Sequence, residues 1–294
     1  MRLGFIGLGN MGLPMAINLL KANFEVYGKN RSKGSEYILL EEGGKTDLTI
    51  AQMASEVDII MTCLPLPKDV EEVYLGEDGI VKNGHSGLIA LDFSTVSPDL
   101  NEKIYETAGE KGIDFLDSPV SGGTVGAKAG TLSIMVGGNK DIYEKVKPIL
   151  HVVGENVYYT GKVGSGTAIK LINQYMVGVH TQAVSEALLL AEKLEIDSKQ
   201  LFDILDASFA QSRIFQRHFK QFIEKEQFEA GFALKLLHKD LNLVEKMTGD
   251  NNITLPIGEQ VTEWFRKAKE TDHANSDMSA MYLYMKEQLL TNQD

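Results

Sequence analysis

Six residues near the N-terminus constrain the fold of this chain more than any others. Gly7-Leu8-Gly9-Asn10-Met11-Gly12 follows the apolar run Leu3–Ile6 and opens a segment of helical periodicity. The GxGxxG spacing has a physical meaning only at such a strand-to-helix turn. The first glycine permits the tight turn, the second lets a pyrophosphate approach the backbone, and the third lets helix and strand pack closely. The helix start adds unpaired N–H groups and the positive end of its dipole. A plain βα turn can carry the same letters, but this position and these flanks suit a phosphate cradle. Gly7, Leu8, Gly9, Asn10, Met11 and Gly12 are therefore expected to hold a dinucleotide.

The first half of the chain continues as that turn begins, alternating short apolar runs with helical patterns. Strands are predicted at Leu3–Gly7, Glu25–Lys29, Asp58–Cys63, Leu88–Asp92, Asp114–Asp117, Ser133–Val136 and Val157–Tyr159. Helices are predicted between them, for example at Met11–Ala22, Ser32–Glu42, Pro98–Lys111 and Lys140–Leu150. Such alternation builds a parallel sheet from βαβ units. After Gly161 helical periodicity takes over, starting with one helix from about Ser165 to Lys193, roughly 43 Å long at 1.5 Å per residue. Later helix starts are signalled by Asp197 or Ser198, by Pro256 and by Ser276 before Asp277. The expected architecture is an α/β Rossmann-type doubly wound sheet over residues 1–163. An all-α substrate and oligomerisation domain over residues 164–294 follows, opening with a long interdomain helix.

Composition excludes several classes. The chain has 294 residues, 43% hydrophobic and 24% charged, as in ordinary soluble proteins, and no apolar run approaches membrane-spanning length. The N-terminus reads as a core strand rather than a signal peptide, so a cytoplasmic location is expected. The net charge of −12 is shared by both halves and leaves no basic stripe for a nucleic-acid backbone. The single Cys63 cannot form an intramolecular disulfide, and the six histidines lack metal-ligand spacing. No metal is expected.

In open parallel sheets, ligands sit beyond the carboxyl ends of the strands. After the second strand the chain reads Tyr27-Gly28-Lys29-Asn30-Arg31-Ser32-Lys33, without a carboxylate to accept from ribose hydroxyls. Arg31 offers a planar fork for a 2′-phosphate, with Asn30 and Ser32 as donors and Lys33 nearby. The alternative is a solvated basic loop. This segment points to NADP(H) over NAD(H), with NAD(H) still possible. Cys63-Leu64-Pro65 offers a stiff apolar wall for a nicotinamide, through Leu64 and Pro65. Thr95, in Phe93-Ser94-Thr95, offers a hydrogen bond to its ribose or carboxamide, though each segment also serves as ordinary loop. In Asp117-Ser118-Pro119-Val120-Ser121-Gly122-Gly123, the consecutive glycines after a serine suit either an anion-binding nest at Ser121, Gly122 and Gly123 or a tight hinge.

A second glycine turn, Gly164-Ser165-Gly166, leads to Lys170 on the long helix. At 100° per residue Lys170, Asn173, Gln174, Val177 and Thr181 share one face, which addresses solvent or a cleft. Leu171, Ile172, Tyr175, Met176 and Val179 fall elsewhere and are expected to pack into the domains. A desolvated lysine can polarise a carbonyl oxygen and protonate the alkoxide formed from it. Asn173 and Gln174 are placed to fix a substrate oxygen or the lysine. Lys239, in a helix expected from about Phe232, either reaches a cofactor or is an exposed helical lysine.

Together these residues resemble the β-hydroxyacid dehydrogenase family, essentially end to end. The resemblance lies in Gly4–Gly12, Asp117–Gly123, Gly130–Gly138 and Gly164–Lys170. It implies that Lys170 is the catalytic acid/base, that Ser121-Gly122-Gly123 takes a carboxylate, that Thr95 and Lys239 touch the cofactor, and that the C-terminal helices form a homodimer or homotetramer interface. The family usually has asparagine four residues after the lysine, where this chain has Gln174 beside Asn173. Imine reductases share the fold but generally lack this lysine. The expected activity interconverts a short semialdehyde acid and its hydroxyacid, of the tartronate semialdehyde, 3-hydroxyisobutyrate or glyoxylate/succinic semialdehyde class. The alternatives are reduction of sulfolactaldehyde, since Lys170-Leu171-Ile172-Asn173 also resembles enzymes of that kind, NAD-dependent oxidation of a hydroxyacid, and a non-catalytic NADP-binding sensor or scaffold.

Overall fold

The computed structural model describes residues 1–290. Cα proximity groups the chain into two compact units, Met1–Lys170 and Leu171–Asp294. In the first unit β1 (Arg2–Ile6), α1 (Gly12–Lys21), β2 (Glu25–Lys29), α2 (Lys33–Glu41), α3 (Ile50–Glu56) and β3 (Ile59–Thr62) come first. Next are α4 (Pro67–Leu75), α5 (Ile80–Asn83), β4 (Ile89–Asp92), α6 (Pro98–Gly109) and β5 (Asp114–Asp117). The unit's sheet ends with β6 (Val120–Ser121), α7 (Gly123–Ala129), β7 (Leu132–Gly138), α8 (Lys140–Val153) and β8 (Gly154–Gly161).

The sheet order is β2-β1-β3-β4-β5-β7-β6, with β8 paired to β7. Strands β2, β1, β3, β4 and β5 are parallel throughout. Pairing turns antiparallel where β5 and β6 meet β7, and β8 runs parallel to β7. The sheet is therefore mixed beyond β5, which the strand pattern alone did not disclose. Period-2 alternation buries both faces. Leu3, Phe5, Ile59, Met61, Ile89 and Leu91 join one core cluster, while Ile6, Ile60, Ala90 and Phe115 join the cluster opposite. Helices on both faces cover them, as parallel strands require.

The helices given no bounds from periodicity start on local signals. Thr49 and Gln52 form a reciprocal capping box before α3. Pro67 opens α4, where a missing N–H costs nothing.

Helix α9 (Ser165–Lys193) has the predicted bounds, and the boundary between the units falls within it. The second unit continues with α10 (Ser198–Asp206), α11 (Arg213–His218), α12 (Leu234–Asp250), α13 (Pro256–Ala268) and α14 (Met281–Leu289). Asp197 caps α10 by accepting from the Gln200 N–H at 2.8 Å. Pro256 opens α13. Helix α12 begins two residues after Phe232, and Asp277 rather than Ser276 caps the short 3₁₀ turn Met278–Ala280. Apolar side chains of α12, α13 and α14 form the main cluster of this unit. No helix among the described residues is long and apolar enough to cross a membrane.

Candidate active site

At the end of β1 the three glycines of the cradle have three different surroundings. Gly7 has φ +95°, and a Cβ there would lie 2.3 Å from the Cys63 carbonyl oxygen. At Gly12 a Cβ would lie 1.9 Å from the Gly7 carbonyl oxygen and 2.9 Å from the Phe5 ring. At Gly9 a Cβ would meet nothing within 4 Å. The first and third are thus demanded by the protein itself, and the second leaves open space over the start of α1. Gly9 and Asn10 are exposed and Met11 is half-buried. Leu8 is different: its side chain is fully buried in the core, and its N–H donates to Asn30 Oδ1 at 3.1 Å. These surroundings fit a dinucleotide pyrophosphate, with backbone N–H groups rather than side chains as its contacts.

The loop after β2 is held from beneath by a carboxylate that the linear motif did not include. Glu36, on α2, is buried; it accepts from the Asn30 N–H at 2.9 Å and from Lys33 Nζ at 2.7 Å. Burial pushes its carboxyl up, but the Lys33 and Asn30 hydrogen bonds outweigh this and hold it below the usual range. Lys33, expected as a nearby cation, is therefore engaged by Glu36. Asn30 spans the loop, with Nδ2 donating to the Ser32 carbonyl and hydroxyl. Arg31 and Ser32 are exposed, and Arg31 has no hydrogen bond or ion pair among the described residues. The guanidinium is the cation this loop leaves available.

Beyond β3 and β4 a buried polar chain ties the two expected cofactor loops together. Thr62 Oγ1 donates to Asp92 Oδ1 at 2.7 Å and contacts the Tyr74 hydroxyl at 3.0 Å. The same Asp92 oxygen accepts from the Ser94 N–H, and Ser94 Oγ accepts from the Leu64 N–H at 2.9 Å. Leu64 is half-buried, Pro65 is exposed and Thr95 is half-buried at the loop tip. Ser94, which the motif reading passed over, is the residue that joins these loops.

The segment after β5 is not a loop throughout. Ser121 ends the short strand β6, and Gly123 starts the seven-residue helix α7. Both glycines keep left-handed backbone, φ +139° at Gly122 and +62° at Gly123, and both are exposed. Asp117, at the end of β5, is 1% exposed. Its Oδ1 accepts from the Gly164 N–H at 2.7 Å and its Oδ2 from the Thr167 N–H at 2.8 Å. Burial pushes its carboxyl up to about 6, against the pull of those hydrogen bonds.

Helix α9 inverts the usual pattern of a surface helix. Lys170, Gln174 and Thr181 are buried, and Asn173 and Val177 are half-buried. Of the residues expected to pack inward, Leu171 is buried, and Tyr175 and Val179 are half-buried. Ile172 and Met176 are 56% and 44% exposed, so that expectation fails for them. In the second unit, Asp240 on α12 is buried, accepts a hydrogen bond at one carboxylate oxygen and forms an ion pair at the other. Gln174 Nε2 lies 2.6 Å from Oδ2 and Lys239 Nζ 2.8 Å from Oδ1. Gln174 Oε1 in turn accepts from Asn173 Nδ2 at 3.0 Å. Lys239 is thus mostly covered rather than an exposed helical lysine. The amide that replaces the family's usual asparagine is held by this aspartate.

A glycine cradle at the first strand of a doubly wound sheet, with a free guanidinium beyond the second, defines a nicotinamide-dinucleotide oxidoreductase domain. Residues 2–161 match the NAD-binding domain of 6-phosphogluconate dehydrogenase, and residues 164–285 match the NAD-binding region of NADP-dependent 3-hydroxyisobutyrate dehydrogenase. The chain is 37% identical to 2-(hydroxymethyl)glutarate dehydrogenase of Eubacterium barkeri, covering 95% of this chain and 93% of that one. It is 38% identical to 2-hydroxy-3-oxopropionate reductase of Escherichia coli K12, covering 96% of each. The structure of Mycobacterium tuberculosis 3-hydroxyisobutyrate dehydrogenase with L-serine matches at a TM-score of 0.88 and 28% identity, covering 97% of this chain and 99% of that one. The chain belongs to the β-hydroxyacid dehydrogenase family and is an NAD(P)-dependent hydroxyacid dehydrogenase.

Proposed function

We propose that this enzyme interconverts a short semialdehyde acid and its hydroxyacid with NADP(H), using Lys170 as the acid/base. The observation that carries the proposal is the burial of Lys170 at 8% exposure on α9. A covered ammonium is a poor choice for solubility and a good one for donating a proton where water is excluded. A nicotinamide dinucleotide held by the glycine cradle would supply or remove the hydride. In the reductive direction Lys170 Nζ polarises the carbonyl oxygen and then protonates it, and in reverse it takes the hydroxyl proton. Ser121 and the N–H groups at Gly122 and Gly123 hold the substrate carboxylate. Asn173 and Gln174, one turn beyond Lys170, orient the reacting oxygen, and Thr95, Leu64, Pro65 and Lys239 line the cofactor. The exposed Arg31 fork, with Asn30 and Ser32, supports NADP(H) over NAD(H). We further propose a homodimer or homotetramer, supported by the exposed apolar side chains Ile169, Ile172, Met176 and Leu190 along α9. The division of roles between residues 1–163 and 164–294 belongs to the same proposal.

The deciding experiment is an initial-rate panel with NADPH and NADH. It uses tartronate semialdehyde, methylmalonate semialdehyde, succinic semialdehyde, glyoxylate and sulfolactaldehyde. One preferred carboxylate semialdehyde with NADPH is expected. Preference for sulfolactaldehyde would move the anion specificity elsewhere, and NADPH binding without turnover would make the protein a sensor. Lys170→Ala is expected to lower kcat by roughly 10²–10⁴ with cofactor affinity retained. Near-full activity in that variant rules out the lysine mechanism.

A further inference from the structure

Asp117 is an unusual helix cap. Serine, threonine or asparagine satisfies a helix start without bringing a charge out of water. Asp117 is nevertheless 1% exposed, with burial the largest influence on its carboxyl. What a carboxylate adds is two acceptor oxygens on one rigid plane. Here each oxygen takes a different N–H at the start of α9, from Gly164, just before the helix, at 2.7 Å and from Thr167, in its first turn, at 2.8 Å. An asparagine can accept at only one of these two positions, because its other position is a donor.

The surroundings leave that turn little freedom. A Cβ on Gly166 would come 2.2 Å from the Met135 carbonyl oxygen and 2.9 Å from Asp117 Oδ2. A Cβ on Gly137, the antiparallel partner of Asp117 on β7, would lie 2.4 Å from Asp117 Oδ1. Thr167 is also held through its side chain, where Oγ1 accepts from the buried Asn101 Nδ2 at 2.6 Å. Lys170 lies three residues beyond Thr167 on the same helix, hence on the adjoining face one turn on. In the other direction, the backbone of Asp117 leads within four residues to Ser121. One side chain therefore joins the strand that delivers the proposed anion loop to the turn that delivers the proposed acid.

We propose that Asp117 is the positioning residue for Lys170, clamping the first turn of α9 to the end of β5 and so fixing the lysine relative to the Ser121–Gly123 segment. The inference rests on the lysine mechanism proposed above. Asp117 acts through the helix backbone and transfers no proton itself. Glycine at 137 and at 166 is then explained by the clamp, since any side chain there would displace the carboxylate or the helix.

The test uses full-length Asp117→Asn, alone and combined with Lys170→Ala, with two readouts. In the first, Asp117→Asn is expected to lower kcat about 10²-fold, the scale of a small misplacement, while NADPH affinity stays within about twofold of wild type. In the Lys170→Ala background Asp117→Asn is expected to cost nothing further, because the group it positions is gone. The second readout needs no turnover: acetic anhydride labelling of Lys170, followed by peptide mass spectrometry. Labelling in Asp117→Asn is expected to run about tenfold faster than in wild type as the turn is released, with the exposed Lys199 unchanged. A full-rate Asp117→Asn, losses that multiply in the double variant, or unchanged Lys170 labelling overturns the assignment. If wild type reduces nothing on the substrate panel, the proposed function fails and the labelling alone decides the clamp. Should Asp117→Asn not fold, Asp117→Ser, which retains a single-acceptor cap, is read by the same criteria.

Discussion

Replacing Gly9 and Gly12 one at a time separates what the cradle does for the fold from what it does for a ligand. Gly9 is not among the residues with positive φ, and a methyl there meets no protein atom within 4 Å. Gly9→Ala is therefore expected to fold normally and even gain about 0.4–1 kcal/mol, because alanine restricts the unfolded chain. The same methyl occupies the space over the start of α1 and forces an incoming pyrophosphate away from the backbone. Losing one or two charge-assisted hydrogen bonds, each worth about 1.5–3 kcal/mol, weakens NADPH binding by roughly 10- to 150-fold per bond. Gly12→Ala behaves differently. Its methyl sits 1.9 Å from a backbone oxygen, which no side-chain rotation relieves, so α1 must shift and stability falls by about 1–3 kcal/mol. Urea unfolding without ligand measures the first quantity and fluorescence titration with NADPH the second. Thermal shifts with ligand provide a cross-check, since binding raises stability with RT ln(1 + [L]/Kd). Wild-type NADPH affinity in Gly9→Ala, or a loss of unliganded stability there, would refute the division of labour among the glycines.

Two further outcomes test the second unit. His218 is fully buried; Arg217 Nη1 donates to its Nδ1, and its Nε2 bonds the Thr181 hydroxyl at 3.0 Å. Burial, with Arg217 adding to it, pushes its pKa down from 6.5 to about 3. The neutral ring thus contributes stability that is complete above pH 6.5 and is lost as pH falls toward 3, about 1.4 kcal/mol per pH unit. His218→Gln is expected to remove that slope between pH 6 and 4.5 in urea titrations; an unchanged slope would assign it to other groups. Gln174→Asn, which installs the family's usual residue, shortens the side chain that reaches Asp240 at 2.6 Å. It is expected to lower stability by about 1.5–3 kcal/mol, and a neutral result would mean that Asp240 re-pairs.

What was legible in the sequence depended on whether the signal was local. Glu25–Lys29 and Asp114–Asp117 were read to the residue, because an apolar strand between polar turns has no other use for that pattern. Helix α9 was bounded correctly by its glycine turn and its long periodicity. The last strand was read as Val157–Tyr159 but runs from Gly154 to Gly161, because Gly154-Glu155-Asn156 carries turn residues that pair with β7 all the same. The change to antiparallel pairing at β7 and β6 left no mark in periodicity, since strand direction depends on where the chain turns rather than on which residues alternate. The same limit hid the outward-facing Ile172 and Met176. Helical phase assigns residues to a common face but does not say which face is covered.

The candidate site was drawn from glycines and cations, and the sequence reading passed over its carboxylates, for one physical reason. A carboxylate in a hydropathy pattern reads as surface, because burying one alone is costly. Five are buried among the described residues, and four of these, all but Asp277, stand at the candidate site, each with specific partners. Glu36 holds the Asn30 N–H behind the Arg31 loop, and Asp92 holds Thr62 and the Ser94 N–H behind the Leu64 and Thr95 loops. Asp117 holds the start of α9, and Asp240 holds Gln174 and Lys239. In each case the residues proposed to touch a ligand are the carboxylate's partners or their neighbours. An apolar core alone leaves loops free to sample several geometries, whereas a desolvated acceptor with two matched donors admits one. Asp117 is the case where the cost is visible, because its carboxyl titrates near 6 instead of 3.8. Below pH 6 it takes up a proton more readily folded than unfolded. Its ionisation thus removes stability as pH rises from 3.8 through 6, by up to about 3 kcal/mol. A carboxylate that lowers stability at neutral pH and still occupies the end of β5 is explained by what it holds, and what it holds is the helix of Lys170.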